Sequence, residues 1–336
     1  MKEARLYRTA TAGHVDCFLC EFRCHIADGK RGVCGVRENM GGTLYTLIYG
    51  RLIAEHIDPI EKKPLFHFQP GSTSYSIATV GCNFRCLHCQ NSEISQMPRE
   101  QKRILGEEVS AEEVVSEAVE TGCSSVSYTY TEPTIFFEYA YDVAVLAREK
   151  GLKNVFVTNG YMTPECLDEM KGLLDAANVD VKSFSEQFYK KVCGATLAPV
   201  LKAVERMRSL GIWVEITTLV IPGMNDGDDE LKAIAKWIAG TDKTMPWHIS
   251  AFHPAYKLHD LPPTPRETIT RARDIGIAEG LRYVYTGNIP GEKGESTFCH
   301  KCGKLLVERY GFAVKKNLLK ESACPFCGAF IDGVDL

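Results

Sequence analysis

The most specific chemistry in this sequence sits on one short loop, Cys82-Asn83-Phe84-Arg85-Cys86-Leu87-His88-Cys89. Its spacing presents three thiolates, whereas a closed zinc site or an ordinary iron–sulfur cluster takes four protein ligands. Three thiolates can hold a four-iron cubane and leave one iron open to an exchangeable ligand, through which an electron can pass. A zinc loop completed by His88 is the rival reading of the same residues.

Two more cysteine groups flank this loop. Cys299-His300-Lys301-Cys302-Gly303 and Cys324-Pro325-Phe326-Cys327-Gly328 are paired knuckles, each with a glycine that permits the tight turn. Four thiolates so arranged form a closed tetrahedral site, which points to Zn2+, with a rubredoxin-like iron as the alternative. The N-terminal group Cys17, Cys20, Cys24 and Cys34 suits either zinc or an auxiliary iron–sulfur cluster, and His25 can stand in for a ligand. Cys123, Cys166 and Cys193 lie outside these groups and read as small, partly buried hydrophobes.

These groups need a scaffold, and the pattern between residues 71 and 290 supplies one. Candidate strands are 76–80, 125–130, 154–158, 178–181, 213–220, 248–252 and 282–285, rich in β-branched and aromatic residues. Helical patterns at 110–120, 134–149, 164–174, 196–209, 228–239 and 265–279 separate them, the first opened by the capping box Ser110-Ala111-Glu112-Glu113. Strands alternating with helices of this length predict βαβ units and a parallel sheet. The expected fold is α/β, a closed or partial (β/α) barrel, with a doubly wound open sheet as the alternative. The chain then divides into a Cys-rich N-terminal region (1–70), the barrel core (71–290) and a four-cysteine zinc-ribbon-like domain (291–336). Ligands of such folds bind beyond the C-terminal strand ends. Several strand ends carry polar groups: Glu132 after the second, Asn159 after the third, Asp180 and Lys182 at the fourth, Asn225 and Asp226 after the fifth, His253 after the sixth.

Composition narrows the function classes. The chain has 336 residues, 45% hydrophobic and 24% charged, with a formal charge of −4, which excludes a generally basic nucleic-acid scaffold. It has no apolar run of membrane-spanning length, and Met1-Lys2-Glu3-Ala4-Arg5-Leu6 lacks the apolar stretch of a secretory signal. A cytoplasmic location is expected, where the 11 clustered cysteines of the 14 are metal ligands sooner than disulfide partners.

The central loop resembles that of the radical S-adenosylmethionine (SAM) superfamily, in which three such cysteines follow the first strand of a partial, TIM-like (β/α)6 barrel. Over nearly the whole chain the sequence is similar to the pyruvate formate-lyase activating enzyme group. Within that group it resembles the AmmeMemoRadiSam-system radical enzymes, through residues 58–68 (DPIEKKPLFHF), 82–91 and both flanking cysteine modules. The resemblance implies a [4Fe-4S] cluster on Cys82, Cys86 and Cys89. It also implies SAM contacts from Glu132, Asn159, Asp180, Lys182 and His253, with Asn83 and Asn91 as weaker candidates. One departure stands out: the usual Gly-Gly-Glu-Pro after the second strand is Tyr130-Thr131-Glu132-Pro133 here.

The implied reaction is one-electron cleavage of SAM to a 5′-deoxyadenosyl radical, which abstracts hydrogen from a small-molecule, cofactor or lipid substrate. An electron donor such as flavodoxin or ferredoxin, and Memo-like and AMMECR-like proteins, are the implied partners. A glycyl radical enzyme activase, acting on a partner protein's glycine, is one alternative. A zinc-ribbon RNA-binding protein without radical catalysis is another, since Lys301, Lys304, Arg309, Lys315, Lys316 and Lys320 make the tail basic. Tyr161, Tyr256 and Lys257 are candidates for lining the substrate pocket.

Overall fold

The computed structural model describes residues 1–336. Its main sheet has eight strands: β1 (Ala54–Pro59), β2 (Thr73–Ala78), β3 (Ser125–Tyr128), β4 (Lys153–Thr158), β5 (Ala176–Asp180), β6 (Trp213–Val220), β7 (Trp247–Ala251) and β8 (Val284–Gly287). Neighbours in sequence are neighbours in the sheet. The strands from β2 onward are parallel, while β1 lies antiparallel on β2 with Ala54 opposite Ala78 and Pro59 opposite Thr73. The end strands β1 and β8 do not pair, so the barrel is partial. Helices Ala111–Glu120, Phe137–Glu149, Pro164–Glu169, Leu197–Ser209, Asp228–Asp242 and Arg266–Ala278 fill the crossovers. No helix is long and apolar enough to cross a membrane.

Seven of the strands are those expected from the sequence, with their ends moved by a few residues. The capping box forms as read: Glu113 N donates to Ser110 Oγ at 3.2 Å and Ser110 N to Glu113 Oε2 at 2.7 Å. The helix expected over 164–174 stops at Glu169, and Gly172 turns the chain at φ +74°. Strand β1 escapes a pattern search because it mixes polar and apolar residues, with Ile57 51% exposed and Asp58 buried. Backbone pairing to β2 makes it a strand, and so the N-terminal region lends an edge to the barrel.

The N-terminal ends of the strands are closed by a buried polar layer. Glu215 accepts from Phe66 N (3.0 Å), His67 N (2.8 Å), Trp213 Nε1 (3.0 Å) and His248 Nε2 (2.6 Å). Burial opposes its charge, yet His248 and the other donors hold its carboxyl below the usual carboxylate range. His67 Nδ1 donates to the Asp332 carbonyl and its Nε2 accepts from Tyr285 OH, so the neutral ring is fully satisfied. The C-terminal strands Thr297–Phe298, Leu305–Tyr310 and Ala313–Asn317 pack here through Phe66, Tyr283, Leu306 and Ile331. Arg309, also buried, joins Glu61 and the Phe66 carbonyl.

This layer predicts acid lability. Burial lowers the His67 pKa from 6.5 to about 4. A histidine with a depressed folded-state pKa stabilises the fold above its unfolded value, and the stabilisation is lost as pH falls from 6.5 through 4. Over that whole interval roughly 3 kcal/mol is at stake. Urea midpoints measured from pH 7 down to 4.5 are expected to fall more steeply for the wild type than for His67→Gln, whose amide can still donate and accept. Equal slopes would refute the assignment.

The N-terminal residues form two small antiparallel sheets that dock beside the β4 end. Cys20 bridges Met162, Thr163 Oγ1 donates to the Phe18 carbonyl at 2.7 Å, and Arg23 forks onto Glu165 at 3.1 and 3.0 Å. Arg37 and Glu138, both about 1% exposed, form a buried ion pair across this contact.

Candidate functional site: a sulfur-lined cavity at the barrel rim

The loop bearing Cys82, Cys86 and Cys89 leaves the C-terminal end of β2 at Gly81. That residue has φ +107°, and a Cβ there would come within 2.9 Å of Val36 Cγ1, so only glycine fits. Two backbone bonds pin the loop to the segment before Gly194: Arg85 N to the Cys193 carbonyl (2.8 Å) and Leu87 N to the Val192 carbonyl (2.9 Å). Phe84 is buried and packs edge-on to Tyr161 with ring centres 5.2 Å apart. Arg99 and Gln96 hold the Phe84 carbonyl from below, each at 3.2 Å. The loop is thus fixed by its backbone, and its sulfurs are left to face a cavity.

That cavity measures about 380 Å³, and all three sulfur-bearing residues line it together with Glu132, Asn159, Asp180 and Lys182. Phe84 N donates to Cys82 Sγ at 3.3 Å, and Cys89 Sγ lies 3.3 Å from Ser95 Oγ. Burial pushes the Cys82 thiol up, whereas hydrogen bonding from Cys193 leads the causes that lower the Cys86 thiol, with Lys182 adding to it against burial. Cys193 is buried as expected, but it is also a neighbour of the central cysteine group.

The strand-end residues meet at the same rim. Glu132 Oε1 accepts from Thr134 N (3.1 Å), Thr134 Oγ1 (2.5 Å) and Thr158 Oγ1 (2.7 Å), and its Oε2 from Asn159 N (2.8 Å). It therefore ties the ends of β3 and β4 together, and Oε2 retains an accepting lone pair. Burial raises its pKa despite these donors. Lys182 Nζ sits 2.7 Å from Asp180 Oδ2; burial opposes the ammonium, but Asp180 and the nearby thiols hold it charged. Asn159 Nδ2 donates to Asn83 Oδ1 at 2.7 Å, while the buried Asn83 Nδ2 has no partner. Asn83 is buried within the loop and outside the cavity lining; Asn91 lines it and donates to the Tyr130 carbonyl at 2.7 Å.

Other expected residues lie elsewhere. His253 is exposed and outside the lining. Asn225 is a buried brace, donating to the carbonyls of Lys182 (2.7 Å) and Leu219 (2.9 Å). Tyr161 OH pairs with Thr196 Oγ1 at 2.8 Å, and Tyr256 and Lys257 engage Glu100, so none of these three lines the cavity. The lining includes Lys62, Lys63, Tyr130, Ser250 and Asn288, which sequence reasoning missed as pocket residues. Asn288 follows β8 and was within reach of the strand-end rule: its amide exchanges two 2.8 Å bonds with Ala251.

The C-terminal cysteines form a tighter group. Sγ atoms of Cys299, Cys302, Cys324 and Cys327 all lie within 4.8 Å of one another, with 3.7 Å between Cys299 and Cys327 and between Cys302 and Cys324. A tetrahedron with metal–sulfur bonds of ~2.3 Å has edges of ~3.8 Å. The sulfurs of Cys17, Cys20, Cys24 and Cys34 and those of the rim loop are not drawn together to this degree.

Comparison with known proteins agrees with this arrangement. The family model described as the radical SAM superfamily matches residues 76–238, which run from β2 into the helix after β6 and include the three-cysteine loop. The chain belongs to the radical SAM superfamily. An uncharacterized protein of Methanocaldococcus jannaschii is 48% identical over 335 residues, 99% of each chain. The pyruvate formate-lyase 1-activating enzyme of Escherichia coli is 22% identical over 224 residues, 61% of this chain and 89% of that one. Among solved structures, Streptococcus suis SuiB bound to S-adenosylmethionine shares the fold with a TM-score of 0.52 at 12% identity, over 72% of this chain and 56% of that one. The radical SAM family implies a [4Fe-4S] cluster and SAM.

Proposed function

We propose that this protein is a radical SAM enzyme whose cluster is held by Cys82, Cys86 and Cys89 and which acts on a small-molecule or cofactor-like substrate. The observation that carries the reading is the convergence of three sulfurs and the polar strand-end groups on one cavity. The donor set fits the implied group: three thiolates from one loop leave a cubane one iron short of protein ligands. When bound, the cluster and SAM supply one-electron cleavage of the sulfonium to a 5′-deoxyadenosyl radical that takes a hydrogen atom from the substrate.

The residues of this chain orient and shelter that chemistry. Lys182 is suited to the methionyl carboxylate, and the free lone pair of Glu132 to the methionyl ammonium. Asn159, bonded to Asn83, and Asp180 offer hydrogen bonds to the ribose or methionyl groups. Tyr130-Thr131 in place of two glycines keeps the backbone farther from the amine and puts a phenol in the cavity wall. The 22% similarity to a pyruvate formate-lyase 1-activating enzyme favours a second reading, hydrogen abstraction from a partner protein's glycine.

Anaerobically reconstituted protein given dithionite and SAM is expected to form 5′-deoxyadenosine. A cluster that is reduced yet leaves SAM intact would overturn the reading. A stable protein radical on a partner polypeptide would decide for the second reading.

The C-terminal four-cysteine group we assign to a structural Zn2+, supported by the 3.7 Å sulfur spacing. One zinc per chain is expected to be lost in Cys324→Ser relative to the wild type and to be released by a thiol-reactive mercurial; iron with rubredoxin-like absorbance would reject zinc. Cys17, Cys20, Cys24 and Cys34 form a second four-thiolate site for zinc or an auxiliary cluster. Sulfide analysis of protein lacking Cys82, Cys86 and Cys89 separates the two. A cytoplasmic setting, a flavodoxin or ferredoxin donor, and Memo-like and AMMECR-like partners belong to the same proposal and rest on the family resemblance.

A further inference from the structure

The cavity has a second cationic end, on the far side of β2 from the strands that bear Asp180 and Lys182. Asp58, at the end of the edge strand β1, is buried and serves three donors at once. Its Oδ1 accepts from Lys62 Nζ at 2.7 Å, and its Oδ2 accepts from Lys63 Nζ at 2.6 Å and from Tyr130 OH. Lys62, Lys63 and Tyr130 line the cavity that the three sulfur-bearing residues line. Two ammoniums share one carboxylate, which leaves this corner with a formal charge of +1.

That arrangement is costly unless something completes it. Lys63 is 1% exposed, and burial lowers its pKa to about 8 even with Asp58 beside it. A buried charge is stable only when well paired, and half a carboxylate is a poor partner. Tyr130 stands at φ +61°, a left-handed conformation that a bulky side chain rarely adopts. The strained backbone carries its ring to within 4.5 Å of Lys63 Nζ and its hydroxyl to Asp58.

Lys182 stands after β5 and is engaged by Asp180 at 2.7 Å, whereas Lys62 and Lys63 follow β1, four strands away in the sheet order. With Lys182 suited to the methionyl carboxylate, Lys62 and Lys63 remain for a second anion. We propose that Lys62, Lys63 and Tyr130 form an anion-binding subsite that takes the phosphate or carboxylate group of a small-molecule substrate. The inference rests on the radical-enzyme reading for the role of the cavity, but binding at the corner needs neither reduction nor turnover.

The test is calorimetric titration of anaerobic, full-length, cluster-loaded protein with inorganic phosphate and, in parallel, with acetate. One of the two anions is expected to bind at one site per chain, and which one does identifies the group on the substrate. Lys62→Ala removes the surplus charge at a partly exposed position and is expected to weaken that binding about tenfold or more. Lys316→Ala, on the exposed C-terminal hairpin, is expected to leave it unchanged. Binding of neither anion, or an affinity that ignores Lys62→Ala, would overturn the subsite. Competitive displacement by SAM would assign the corner to the cofactor and overturn the substrate role. Formation of 5′-deoxyadenosine without substrate reports on the radical reading separately, so either can fail alone.

Discussion

Cys86→Ala is expected to abolish the visible absorbance of the cluster and to reduce 5′-deoxyadenosine formation below detection, while the fold survives. The survival follows from how the loop is held. Its conformation depends on the Arg85 and Leu87 amides bonded to the Cys193 and Val192 carbonyls, and on Phe84 packed against Tyr161. The Cys86 sulfur contributes to none of these. Circular dichroism and the urea midpoint of the metal-free protein should therefore match the wild type within about 1 kcal/mol, as for a small buried side chain replaced by Ala. Retention of SAM cleavage in this variant would remove the three-cysteine site from consideration. Loss of cleavage accompanied by unfolding would instead make the loop a structural element.

The second large effect is on stability and lies at the opposite end of the barrel. Glu215→Ala is expected to destabilise the protein by about 4–5 kcal/mol, because removing one partner of a buried pair strands the other. Four donors lose their acceptor together: the amides of Phe66 and His67, the Trp213 indole and the His248 ring. All four of these residues are buried. Such a loss is a large part of the ~5–15 kcal/mol that ordinarily holds a domain together. Glu215→Gln keeps an accepting oxygen for part of the set and should cost less. Urea denaturation of the full chain measures both, and a change under 1 kcal/mol for the alanine variant would show that the layer is not a keystone.

The two ends of the barrel were unequally visible in the amino-acid order. At the rim, thiolate spacing picked out Cys82, Cys86 and Cys89, and the polar residues that end parallel strands gave Glu132, Asn159, Asp180 and Lys182; all seven line one cavity. The rule works because side chains at such ends project toward a common axis. It misleads where a strand-end residue leaves the rim: His253 turns out to solvent, and Asn225 turns back to brace the neighbouring loop. The polar layer at the other end had no signal of its own, since Glu215 and His248 sit near the N-terminal starts of their strands, away from the C-terminal ends where ligands of such folds bind. The short strand β1 was missed for a related reason: its composition states no preference, and only the exposed edge of β2 converts it into sheet.

By itself, the sequence determined the chemistry on offer and the kind of scaffold. Thiolate number and spacing are local properties, and the alternation of strand and helix patterns is a property of short windows. What the tertiary structure alone decided is which distant groups share one volume. Asp58, Lys62 and Lys63 come to face the cysteine loop only because β1 pairs antiparallel with β2, and Tyr130 joins them only through its left-handed backbone. Charge balance and burial depend on distances through space. Windows along the chain hold no such distances, so the net charge of that corner becomes legible only when the sheet is assembled.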